Sequence, residues 1–227
     1  MFDVGKRPLR GPKIHIKHLP SNIEHPVLSR VSFAAIDFES AGIRKGGTDV
    51  AVQIGVARMQ GGVLGEQFTS FLATDQPITW SAQKVHGIRA EDLVDAPTLT
   101  ALWPRLKGLL EGCWVVAHGA ATEKRFLRAF PFHGFGPWLD TLKLSRAIWP
   151  ELPSYALGDL ITRLGLEDEL RTAHDRFRWH DALSDALASL ILLRHIIQEA
   201  GVAHESPELL LRADDSFHHR LRAQQRP

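Results

Sequence analysis

Residues 31–40 read VSFAAIDFES. The run from Val31 to Ile36 is apolar and strand-like, and it ends in two acids one residue apart, Asp37 and Glu39. Side chains at i and i+2 of a strand share a face, so the two carboxylates converge. Like charges placed this way repel unless a proton or a cation sits between them. At the end of a buried strand a divalent cation satisfies both, and oxygen-only donors suit Mg²⁺ or Mn²⁺ better than Zn²⁺. Taken alone, an Asp-x-Glu pair is common, and a solvated strand end shows the same pattern.

Working outward, TDVAVQIGVARM (48–59) and GGVLGEQFTSFL (61–72) read as two more strands, with Gly61-Gly62 as a hairpin turn. The first three strands therefore form an antiparallel meander. SAQKVHGI (81–88) is a short helix or turn. APTLTALWPRLKGLLEG (96–112) carries Leu99, Leu102, Leu106 and Leu109 at helical spacing and ends at Gly112. CWVVAH (113–118) is a short buried strand, and AATEKRFLRAF (120–130) a helix. PWLDTLKLSRAIWP (137–150) turns from strand to helix, which Pro150 stops. SYALGDLITRLG (154–165) and DALSDALASLILLRHIIQEAG (181–201) are helices closed by Gly165 and Gly201. Three strands followed by alternating strands and helices predict a mixed sheet covered by helices.

The 227 residues suffice for one domain with extensions. A single cysteine, Cys113, excludes a disulfide framework and a Cys-rich zinc site, and it fits a reducing, cytoplasmic setting. No segment has the length or hydropathy of a signal peptide or a membrane span. The net charge is +1, unevenly distributed: residues 1–30 carry six basic residues against two acids. That basic arm suits contact with phosphates, or is a solvated tail. Residues 202–227 include Leu209, Leu210 and Leu211 and then FHHRLRAQQRP, read as a docked helical turn and a frayed end, or as a contact for another protein.

Two further acids occupy suggestive places. In VVAHGAATEKRFL (115–127) a buried strand ends at His118, and Glu123 falls in the first turn of the following helix. In WHDALSDALASLILL (179–193) Asp185 stands among Ala182, Leu183, Ala186, Leu187 and Leu190. His180 precedes Asp185 by five residues. On one helix the two would point about 140° apart, so they share a site only if His180 lies in the loop before it. Asp181 as helix N-cap makes that arrangement natural. A neutral histidine beside such acids is suited to take a proton from water.

IDFESAG, HGAATEKRFL and HDALSDA, in this order, together with VHGI, LDTLKLSRAIWPELPSYAL and GDLITRLG between them, resemble the DEDDh family of 3′→5′ exonucleases. That family includes the epsilon proofreading subunit of bacterial DNA polymerase III and ribonuclease T. The resemblance runs from about Val31 to Ala200. It implies an α/β, ribonuclease H-like fold: a mixed five-stranded sheet flanked by helices, with an exonuclease domain at 31–200 between a basic extension (1–30) and a tail (201–227). It implies that Asp37, Glu39, Glu123 and Asp185 hold two divalent cations, Mg²⁺ or Mn²⁺, and that His180 is the general base. It also implies that Phe38, Ser40, His86 and Phe126 line the substrate site. The expected activity is metal-dependent hydrolysis of single-stranded DNA or RNA from the 3′ end, releasing nucleoside 5′-monophosphates. The expected partners are the nucleic acid and a polymerase or other replication or repair protein.

The sequence also departs from the family pattern. Glu123 stands where the second motif has Asp, Gly119 replaces Asn, Thr122 replaces Phe, and Phe38 replaces a small residue. The extra methylene of Glu123 moves its carboxylate by about one C–C bond, against the ~0.5 Å that catalytic constellations tolerate. A catalytically weak nucleic-acid-binding or polymerase-associated module is therefore the alternative, and a phosphohydrolase for small phosphodiesters a third. His118 reads as structural and His174 as a loop residue. Arg171, Arg176 and Arg178 lie just before His180, as phosphate contacts or as a solvated loop.

Overall fold

A computed structural model describes residues 27–43 and 47–224. The basic extension falls, for residues 1–26, outside the described residues. Strands β1 (Ser32–Ser40), β2 (Ala51–Gln60) and β3 (Val63–Phe71) follow one another, then helices α1 (Trp80–His86) and α2 (Leu99–Leu110). Next come β4 (Trp114–Ala117), α3 (Ala121–Phe126), β5 (Trp138–Asp140) and α4 (Thr141–Ile148). The chain ends with α5 (Leu157–Arg163), α6 (Glu167–Ala173), α7 (Ala182–Glu199), α8 (Glu208–Leu211) and α9 (Ser216–Gln224).

The five strands lie in the order β3-β2-β1-β4-β5. β1 to β3 form the antiparallel meander, while β4 joins β1 and β5 joins β4 in parallel. This is the expected mixed five-stranded α/β sheet. Parallel strands bring the C-terminal ends of β1, β4 and β5 to one edge, as required for a site assembled from the loops that follow them.

Both faces of the sheet are covered. Phe33 and Ala35 of β1 pack in the same cluster as Leu183, Leu187, Leu190 and Ile191 of α7. Ala34, Ile36 and Phe38 pack with Leu106, Leu109 and Leu110 of α2 and Phe126 of α3. The alternation of a strand then dictates the next step: Asp37 and Glu39, in phase with Phe33 and Ala35, face the α7 side. α7 is buried on almost every side, with 13 of its 18 residues enclosed, and it reaches the sheet because Gly55 leaves room. A Cβ on Gly55 would lie 2.1 Å from the backbone of Ala182. Gly55 is the register partner of Asp37, so this close approach sets the first turn of α7 beside the acids.

Several local structures differ from the sequence expectation. The helix read across 120–130 is a short α3 followed by a 3-10 turn, Leu127–Ala129, because Phe130 precedes Pro131 and is held out of the helical region (φ −118°, ψ 71°). α6 has no apolar stripe, only Leu170 buried, and owes its start to Glu167, Asp168 and Glu169 in its first turn. The packed body extends beyond 31–200 at both ends. Leu28 enters the core, and the Leu28 and Ser29 amides donate to the carbonyls of Glu205 and Ala203. Leu210 docks as read. The segment read as frayed is α9, pinned through buried His218, whose Nδ1 donates to the Pro150 carbonyl at 3.1 Å.

Candidate active site

β1 shifts its register with β2 between Glu39 and Ser40, so the regular ladder is interrupted immediately after the second acid. Asp185 lies in the first turn of α7 and Glu123 in the first turn of α3. His180 is in the loop before α7, at φ 59°, and Asp181 is the N-cap, accepting from the Ser184 amide. The geometric condition for His180 and Asp185 to meet is fulfilled. One ligand atom each from Glu39, His180 and Asp185 lies within 4.8 Å of the others, an arrangement that could hold a metal ion. His180 is exposed on the rim, and Glu39 and Asp185 are half-buried.

Asp37 ties this trio to Glu123. Burial pushes the Asp37 carboxyl well above its usual range, and Glu123, Asp185, Glu39 and Asp181 push it further. Glu39 is raised to about 8, first by burial and then by Asp185 and Asp181, with Arg178 opposing. Glu123 is raised to about 8 by burial and then by Glu39, while the Phe38 amide and Arg125 pull it back. Asp185 rises to about 7 through burial and Asp181, against a hydrogen bond from the His180 amide. A group of acids facing one another with little positive charge among them holds protons near neutral pH, or binds cations in their place. Glu123 Oε2 and Asp185 Oδ1 are buried with no hydrogen-bond partner. Two orphaned carboxylate oxygens in one acidic pocket are what a divalent cation would satisfy, so the donor set fits such an ion.

The expected substrate residues are placed differently. Phe38 (6% exposed) and Phe126 (9%) pack on each other in the core, ring centroids 5.3 Å apart, on the sheet face away from Asp37 and Glu39. His86 is buried, and both its ring nitrogens are engaged: Ile88 N–H donates to Nδ1, which leaves Nε2 to donate to the Ser40 carbonyl. It fixes the end of β1 and has no nitrogen left for a ligand. Burial lowers its basicity, consistent with a neutral ring. Ser40 alone of the four is partly exposed at the strand end. His118 is structural, between the Thr141 hydroxyl (2.9 Å) and the Tyr155 carbonyl (2.8 Å). His174 caps the end of α6. Of the three arginines, Arg171 lies over Phe177, whereas Arg178 reaches Asp181 (3.8 Å) and acts on Glu39.

Two further residues organise the site. Gln53 of β2, 4% exposed, donates through Nε2 to Asp181 Oδ2 (2.9 Å) and accepts from the Ala182 amide through Oε1 (3.2 Å). It clamps the start of α7, and with it His180 and Asp185, to the sheet. Asp140, the N-cap of α4, also accepts from the Gly119 and Ala120 amides and so holds the loop that leads to Glu123.

Comparison with known proteins gives a consistent result. A family model described as Exonuclease (RNase_T) matches residues 34–193. The chain is 28% identical over 209 residues to DNA polymerase III PolC-type of Thermotoga maritima, covering 86% of this chain and 14% of that protein. It is 31% identical over 168 residues to a DNA polymerase III subunit epsilon-like protein of Rhodobacter capsulatus, covering 71% of this chain and 23% of that one. The chain thus spans under a quarter of either relative. Among solved structures, exonuclease X in complex with 5′-overhanging duplex DNA superposes with a TM-score of 0.63 at 26% identity, over 78% of this chain and 98% of that one. The nuclease domain of 3′hExo, a DEDDh family member bound to rAMP, gives a TM-score of 0.60 at 16% identity, over 78% and 96%, a likeness of fold.

Proposed function

The chain belongs to the RNase_T exonuclease family, and we propose from that premise that it removes nucleotides from the 3′ ends of single-stranded DNA or RNA with two divalent cations, Mg²⁺ or Mn²⁺. The observation that carries this reading is the meeting of Asp37, Glu39, Glu123 and Asp185, two of them with orphaned buried oxygens, beneath an exposed His180.

Asp37, Glu39, Glu123 and Asp185 would hold the cations, which when bound supply activation of water and neutralisation of charge on the phosphate. His180, at the solvent side of the cluster, accepts the proton of the attacking water on a ring nitrogen. The P–O3′ bond breaks, the proton returns to the 3′ oxygen of the shortened strand, and the nucleotide leaves as its 5′-monophosphate. Gln53 and Asp181 keep His180 and Asp185 in register, and His86 keeps the end of β1 from moving.

Glu123 supports the working enzyme over the binding module. Its longer side chain is held by the Phe38 amide while one carboxylate oxygen stays free toward the acids. The epsilon-like and PolC-type relatives support association with a polymerase in a cytoplasmic setting. Among the described residues no helix is long and apolar enough to cross a membrane.

A timed digestion of a 5′-labelled oligonucleotide, as DNA and as RNA, with Mg²⁺, Mn²⁺ or chelator, tests the proposal. A cation-dependent ladder shortening from the 3′ end is expected. Intact oligonucleotide in every lane, with folded protein, would favour the binding module.

A further inference from the structure

On the other side of the loop that leads to Glu123 lies a cleft of about 510 Å³, within the range of ligand sites. It is open to solvent and lined by α4 and the loop after it, by α9, and by His118 directly after β4. Arg146, Ser154, Tyr155, His218 and Arg222 contribute to its lining, and no carboxylate does. Glu151, on the same loop, lines an adjoining recess of about 210 Å³ that shares Arg222 with the cleft.

The donors in this cleft are largely unused. Arg146 makes no hydrogen bond or ion pair among the described residues, and its Nε is buried without a partner. Its guanidinium is seen only over the Tyr155 ring, at 5.8 Å. Arg222 donates one nitrogen to the Leu152 and Pro153 carbonyls (3.0 and 2.7 Å), leaving the rest of its fork. His218 uses Nδ1 on Pro150 and keeps Nε2. His118 has both nitrogens occupied and adds none. Unmatched guanidinium donors in a recess free of carboxylates call for an anion, and their planar forks suit phosphate oxygens.

The place of the cleft says which anion. Gly119 and Ala120 separate His118 of its lining from the helix of Glu123, and Asp140 fastens that loop to the start of α4. Leu142, which lines the cleft, lies 3.9 Å from where a Cβ on Gly119 would stand. Cleft and acids therefore share one wall, the Gly119–Ala120 loop, at one edge of the sheet. We infer that this cleft binds backbone phosphates of the nucleic-acid strand on the 5′ side of the nucleotide being removed. The inference rests on the exonuclease reading and extends it: the enzyme senses substrate length through α4 and α9.

The test compares Arg146→Glu with wild type. Arg146 makes no hydrogen bond or ion pair among the described residues, so its replacement breaks none, whereas Arg222→Ala also releases α9 and serves as a second variant. Two readouts are taken: hydrolysis of a dinucleotide against an oligonucleotide of about 12 nucleotides, and binding of the labelled oligonucleotide in chelator. For Arg146→Glu, dinucleotide hydrolysis should stay within about twofold, while affinity for the long strand falls about tenfold or more, the worth of one charge-assisted contact. The salt slope of binding should drop by about 0.7. If neither protein cleaves, a loss of long-strand binding in the variant still supports the cleft and removes only the exonuclease reading. Equal affinity and equal length dependence in both proteins would overturn it. So would an acidic decapeptide that competes for Arg146 as well as the oligonucleotide does.

Discussion

The two halves of β1 live in opposite surroundings. From Phe33 to Ile36 every side chain is 2% exposed or less, and both faces of the strand meet apolar partners. From Asp37 to Glu39 the face toward α7 carries two carboxyls that burial and neighbouring acids push upward, Asp37 well above its usual range and Glu39 to about 8. α7 repeats the contrast: its later turns are packed among leucines and isoleucines, and its first turn presents Asp185 with an orphaned oxygen. The first region meets apolar partners throughout, and the second keeps a buried polar atom without one. Stability and activity should therefore separate by position along the same two elements.

The largest effect is expected at the acidic end. Asp37→Ala or Asp185→Ala should reduce digestion below detection, while the melting temperature in chelator stays level or rises because a repelling acid has gone. Wild-type digestion rates in both variants would break the distinction between the two ends. His180→Ala should slow single-turnover cleavage by ~10²–10⁴, the range for a lost general base, with the cation affinity of the carboxylates largely kept. In the apolar region, Leu190→Ala should cost about 2–5 kcal/mol by chemical denaturation, with activity per folded molecule unchanged.

The smallest effect is a pH dependence that only one half shows. Glu39 and Glu123 titrate at about 8 in the fold, and Asp185 at about 7, against ordinary values of 4.5, 4.5 and 3.8. The folded chain thus holds protons that the unfolded chain releases. That stabilisation is complete below about pH 4 and is lost as pH rises through 7 and 8. Melting in chelator should fall over this interval, and Mg²⁺ should restore more at pH 8 than at pH 5.5. A flat profile in chelator would mean that the acids do not face one another as described.

Alternation and spacing made much of this site legible. Asp37 and Glu39 declare a shared face by their i, i+2 spacing, and Asp185 stands out as an acid in an apolar helix. The N-cap at Asp181 put His180 in the loop where it is found. The same alternation also implied that Phe38, between the two acids, turns to the opposite face, into the core with Phe126. The expectation that both line the substrate site came from the family pattern, and the packing does not place them there. Gln53 could not be singled out, because its role depends on α7 arriving over Gly55 from 127 residues later in the chain. α9 was illegible for a related reason: His218 and Arg222 dock through carbonyls of the loop at 150–153, and such contacts leave no hydropathy pattern.

The most direct test of the central claim is a calorimetric titration of Mn²⁺ into the protein at pH 7.5, run in two buffers of different ionisation enthalpy. A cation site built from protonated carboxyls predicts binding accompanied by proton release, with both lost together in an Asp37→Asn, Asp185→Asn double variant. Absence of binding, or binding that releases no protons and survives in the double variant, would contradict the claim that these acids form the metal-holding active site.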